Sequence, residues 1–190
     1  VEAIHRTMDL KKLEKVVSRV KSFGNIHQHL DLIAGLPYED VNSFQKSFDD
    51  VYAMRPDQLQ LGFLKVLKGS GMREDAPGYG INWHERAPYE VLTTDWLSYG
   101  DVLLLKGVED MVEVYYNSRQ FDRTISKIME RYASPFLFFK ELADFYDREG
   151  LAGIGHARIA RYEILRRFLS EEKGWKLKEY EQCMVLDLYA

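Results

Sequence analysis

Cysteine is nearly absent from this chain: Cys183 is the only one in 190 residues. One thiol excludes an intrachain disulfide, and it excludes a cysteine-ligated cluster held by this chain alone. A reduced, cytoplasmic compartment is the expectation. An excess of positive charge is missing too. Lys and Arg number 26 against 30 Asp and Glu, for a net charge of −4. No global basic field recruits nucleic acid or an anionic membrane. No apolar run is long enough to span a bilayer, and no signal-peptide pattern opens the chain. Internal repeats and low-complexity linkers are lacking as well. The chain begins at Val1, in mid-pattern and without Met, so it reads as a piece of something longer.

What remains is ordinary globular material, 46% hydrophobic and 29% charged, enough for one large domain or two small ones. "DLKKLEKVVSRVKSFG" sets Leu10, Leu13, Val16, Val17 and Val20 on one helical face, with Asp9 as N-cap. "HLDLIAG" follows as a short apolar strand. "DVNSFQKSFDDVYAM" predicts a helix capped by Asp40 and stopped by Pro56, and "DQLQLGFLKVLKGS" a second strand. Helix, strand, helix, strand with short connections is the grammar of a parallel α/β sheet. Next comes an irregular aromatic stretch with one short strand at 90–93. From Ser98 onward the pattern is helical. Ser134-Pro135 marks a clear helix start and Gly150 a stop. The fold class expected is therefore α/β and mostly helical, with an α/β part at 1–85 and an all-helical part at 86–190.

The stretch "HLDLIAGLPYED" poses a question. Strand residues alternate, so Asp31, Ile33 and Gly35 share one face. A carboxylate pressed against a helix layer costs several kcal/mol. One that faces a polar interior near the strand's C-terminal end costs less, and parallel α/β folds keep their sites at that end. Gly35 leaves room for a flat ligand to approach the backbone. A bond from Asp31 to a neighbouring loop is an equal alternative.

These residues resemble a family. "DLIAGLP", followed by an acid and an amphipathic helix, is similar to the fifth strand of the radical S-adenosylmethionine barrel. "LQLGFLKVLKGSGM" is similar to its sixth strand and the loop after it, and "EAIHR" at residues 2–6 to the helix after its fourth strand. The text from "PYEVLTTDWLSY" to "VEVYYNSRQF" resembles the C-terminal helical extension, DUF4080-like, of radical-SAM proteins that carry a cobalamin-binding domain. The resemblance implies the last two βα units of a partial (βα)6 barrel, then a helical domain. It implies that Asp31 contacts S-adenosylmethionine, that Ile33 packs on its adenine, and that Arg6 pairs with its methionine carboxylate through two parallel hydrogen bonds. Gly35 would allow close approach beneath the nucleoside, and backbone groups around Lys65 and Val66 would meet the adenine edge. The family's three-cysteine loop and second-strand glycines do not occur here. The resemblance therefore makes this chain the C-terminal portion of an Fe–S oxidoreductase, without a cofactor or catalytic residue of its own. S-adenosylmethionine and a four-iron cluster would belong to the parent, with cobalamin a third candidate. The parent's substrate would be a small molecule or one of unknown class, and the exposed barrel edge would drive self-association of this chain.

Weaker signals have plainer readings. His27 and His29 lead into the strand, but no third ligand completes a metal site at usual spacing. Arg158, Arg161, Arg166 and Arg167 are offset by Glu163, Glu171 and Glu172, as on a solvated helix face. "GYGINWHERAPY" fits a substrate-covering loop or a packing joint equally well. Two other functional classes stay open: a non-catalytic helical interaction module with a small α/β cap, and another barrel enzyme such as a hydrolase, for which no acid/base pair presents itself.

Overall fold

The computed structural model describes residues 9–190. The chain divides into two compact units, Val1–Glu109 and Asp110–Ala190.

The first unit opens with helix α1, Leu10–Lys21, whose first turn is capped by Asp9 through a bond from the Lys12 N–H. Strand β1, His29–Ala34, follows, then α2, Val41–Ala53, and β2, Gln58–Phe63. Asp40 and Ser43 form a capping box at the start of α2, each side chain accepting from the other's backbone N–H. The two strands pair in parallel, His29 opposite Gln58 through Ala34 opposite Phe63. The expected helix–strand order and the parallel pairing are both present. The period-2 pattern decides which face is buried. Ala34, Leu59, Leu61 and Phe63 lie in the core with Leu30 and Leu32 half-buried beside them, and α2 packs against β1 with Phe44, Phe48 and Val51 buried.

Past β2 come a short helix α3, Gly71–Asp75, a 3-10 turn, Ala76–Tyr79, and a small antiparallel pair, β3 (Asn82–Trp83) with β4 (Val91–Thr93). The sequence points to β4 and gives no sign of β3, whose two residues are too few to carry a period. The described residues hold two two-stranded sheets and no barrel. Helix α4, Tyr99–Val112, crosses the boundary between the units and is opened by a reciprocal bond pair between Ser98 and Asp101.

The second unit is helical throughout its described length. A π-helical turn, Glu113–Asn117, precedes α5 (Asp122–Met129), α6 (Pro135–Arg148) and α7 (Arg158–Arg167); a second π turn, Phe168–Glu172, leads to α8 (Lys178–Leu188). The core is aromatic. Phe121, Phe136, Phe138, Phe139, Phe145 and Phe168 are buried among Leu142, Leu165 and Leu169. Ser134 caps α6 with Pro135 at the first helical position. No helix among the described residues is long and apolar enough to cross a membrane.

Candidate functional site

The face of the β1–β2 sheet turned away from its buried side is the open one. His29, Asp31 and Ile33 project there from β1, beside Gln58, Gln60 and Gly62 of β2. Asp31 is exposed and Ile33 keeps 40% of its surface in water. The sequence reading thus brings two of its candidates together. Asp31 and Ile33 sit two positions apart on one face, opposite Gln60 and Gly62, and that face is not the one packed by helices.

At the C-terminal end of β1 the chain closes over the strand. Leu64 N–H donates to the Ala34 carbonyl, and Val91 N–H donates to the Leu64 carbonyl, both at 2.9 Å. Lys65 and Glu90 form an antiparallel bridge, and Val66 N–H donates to Tyr89. The backbone donor of Val66 is therefore engaged within the chain, its side chain is fully buried, and Lys65 is exposed. Gly35 has φ +88°, a left-handed conformation that favours glycine, and a Cβ there would meet the Val91 methyl at 2.7 Å. The close approach that Gly35 permits in this structure is that of Val91. Arg6 lies outside the described residues.

The loop after β1 carries a residue that sequence reading passed over. Glu39 is half-buried with its Oε2 orphaned, and burial pushes its carboxyl from 4.5 to about 7. The neighbouring Asp40 charge pushes the same way. A carboxyl so perturbed, next to the C-terminal end of a parallel strand, is a physical marker of a site. The sequence signal was its place two residues after Gly-Leu-Pro. Beside it Tyr38, at φ 66°, packs on Tyr79 and Trp96, with ring centroids 5.8 and 4.6 Å away. Tyr79 and Trp96 of the irregular segment thus serve packing.

The remaining candidates resolve simply. The rings of His27 and His29 touch edge to face at 4.7 Å, and the described residues contain no group of three or more His, Cys, Asp or Glu able to hold a metal. Cys183 sits half-buried in α8, and burial raises its thiol above the usual range, the reverse of an activated or metal-binding thiol. Arg166 pairs with Glu181, and Arg167 with Glu149 and Glu171.

The model of a protein family described as "Protein of unknown function (DUF4080)" matches residues 77–190, more than half of the chain. The chain belongs to the DUF4080 family. A search of the curated proteins finds no match. The DUF4080 match starts in the 3-10 turn after α3 and takes in β3, β4 and every later element. The open face with Asp31 and the Glu39 loop precede the DUF4080 match.

Proposed function

We propose that this DUF4080 chain is the C-terminal part of a radical S-adenosylmethionine Fe–S oxidoreductase, in which β1 and β2 are the last two barrel strands and form the far wall of the cofactor pocket. The observation that carries the reading is the open sheet face. A parallel βαβ unit covered, among the described residues, by helices on one side only, with a carboxylate and an exposed isoleucine on the other, is an unfinished layer. In a closed barrel that face is the lumen, where a charged side chain meets a bound ligand rather than apolar packing. The resemblance of "DLIAGLP" to the fifth strand assigns Asp31 and Ile33 their roles, and that of "EAIHR" assigns Arg6.

The residues present fit the nucleoside end of the cofactor and not the cluster. Asp31 offers an acceptor and Ile33 an apolar surface, side by side. A four-iron cluster requires thiolates that one half-buried Cys183 does not supply. Gly35, Lys65 and Val66 form the rim of the wall, with Val91 and Tyr89 already against them. Bound S-adenosylmethionine would supply a radical precursor. The task of this chain would be to hold it in register.

In the full-length protein, Asp31→Asn and Arg6→Ala are each expected to weaken S-adenosylmethionine binding by about 1–3 kcal/mol, the range for one charged hydrogen bond, with iron content unchanged. Calorimetric titration measures this. Unchanged affinity in both variants defeats the assignment.

A further inference from the structure

The segment between β2 and β4 contains a donor pair without an acceptor. Arg73, on α3, lays its guanidinium over the Trp83 ring of β3, 5.5 Å from the centroid. Its Nη1 is buried and has no hydrogen-bond partner among the described residues, and the same holds for the Trp83 indole Nε1. Neither group can accept a hydrogen bond. A buried donor left unpaired costs about 1–3 kcal/mol, and more when charged. Two on adjoining side chains mark one place where an acceptor would be stabilising.

The other cation–aromatic pairs show what is missing. Lys106 over Phe63 also binds Glu90, Arg119 over Tyr116 binds Asp122, and Lys173 over Tyr132 binds Glu141. Arg148 and Arg167 lie over Phe145 and bind Glu172 and Glu149. In each of these an aromatic face and a carboxylate share one cation. Arg131 over Trp175 has no carboxylate among the described residues, but it is exposed and water serves it. Arg73 alone combines a half-buried guanidinium with no carboxylate among the described residues, although Glu74 and Asp75 adjoin it in sequence.

We infer that Arg73 and Trp83 form a binding site for an oxyanion, a carboxylate or a phosphate, carried by a ligand that the described residues do not supply. The donor set dictates the class. A guanidinium on an aromatic face has N–H groups left over for an anion, and the indole N–H adds a neutral donor; both unpaired atoms are closed to solvent here, so an anion reaches them only when the groups over them shift. A cation or a neutral donor-rich group would find nothing to bind. The location agrees, since the pair sits in the connection that follows the C-terminal end of β2, the end at which parallel α/β folds bind ligands.

The chain contains three tryptophans, so its proton–nitrogen spectrum has three indole signals, and the one missing from Trp83→Phe is that of Trp83. Titration of the 190-residue chain with inorganic phosphate and, separately, with acetate, at constant ionic strength in chloride, is expected to move this signal saturably. A response to phosphate alone identifies a phosphorylated ligand, and a response to acetate alone a carboxylate. Arg73→Gln should weaken the response about tenfold or more. Arg131→Gln, at the other Arg–Trp pair, should leave it unchanged. If neither anion moves the signal of the unaltered chain, the site does not exist. If Arg73→Gln binds as tightly as the unaltered chain, the anion sits elsewhere and the assignment is overturned. Should Trp83→Phe fail to fold, Trp96→Phe and Trp175→Phe identify the signal by elimination.

Discussion

Glu39 shows how one carboxyl at the end of β1 can set the pH response of the folded chain. Burial holds its proton in the folded state up to about pH 7, whereas 4.5 is its ordinary value. Between these values the folded chain keeps a proton that the unfolded chain has released. Stability contributed by this group is therefore complete below about pH 4.5 and falls as pH rises through 7. Glu39→Gln removes the titration while keeping the shape. The urea midpoint of the unaltered chain should drop relative to that of Glu39→Gln between pH 5 and pH 8, with the variant the more stable at pH 8. Parallel profiles for the two proteins would show that the carboxyl is solvated in the folded state. Asp31 and Glu39 also show what was legible at this scale. Asp31 announced itself because an acid interrupts an apolar period-2 run. Glu39 looked like any loop acid, since its burial depends on how the chain folds over the strand end, which no local pattern encodes. Arg73 and Trp83 stayed hidden for the same reason: their contact joins α3 to β3, ten positions apart.

Helix ends were read well where the cap is local and missed where it is not. Asp9, Asp40 and Ser134 each cap from the adjacent position, so the signal lies within four residues of the helix it starts. Helix α5 is different. Phe121 precedes it and offers no side-chain bond. Its first turn is capped by Asp187 of α8, which accepts from the backbone N–H groups of Arg123 and Thr124 at 3.1 and 2.8 Å and from the Thr124 hydroxyl at 2.8 Å. Asp187 is buried, and Arg123 approaches it at 3.6 Å. A carboxylate on the first turn also meets the positive end of the helix dipole. One residue near the end of the sequence thus fastens α8 to α5. Sequence reading gave both helices and not the link, because a cap 64 positions away leaves no spacing to recognise. The two π turns were equally invisible, each being read as a continuation of its helix. Asp187→Ala leaves two backbone donors and a buried hydroxyl unpaired and should cost about 2–4 kcal/mol. Thermal unfolding followed by circular dichroism measures the loss. Amide exchange should rise first in α5 and α8, and a loss spread evenly over the helical unit would mean that Asp187 is not the fastening.

The first unit leaves apolar surface and one sheet edge uncovered among the described residues, and that has a consequence for the whole molecule. Leu10 and Val16 of α1 are 45% and 51% exposed, and Val17 alone of that helix is buried. The amphipathic stripe read from the sequence is thus real but largely without a counterpart. Ile33 is exposed on the open face, and β1 has a strand partner on one side only. An unpaired strand edge beside apolar surface is a template for another chain. The sequence made the strands and their parallel order legible because period and connection length are local. It left their closure illegible because two strands do not determine a sheet. The second unit has a buried aromatic core of its own, although Ile154, Ile159, Val185 and Leu186 are each more than half exposed, and it should fold independently of what happens at β1. We therefore propose that the chain by itself associates with a second copy through the β1 edge and the open face, in a two-fold arrangement in which each copy's β1 extends the other's sheet. Light scattering during size-exclusion chromatography should give about twice the 22.3 kDa of the chain at high protein concentration, and Ile33→Lys, which puts a charge on the contact face, should shift the population toward monomer. Backbone amides of residues 29–34 should exchange faster on dilution as the edge becomes free. A strictly monomeric chain in which those amides are already protected would place a covering element over β1, and would remove with it the open face on which the cofactor reading of Asp31 rests.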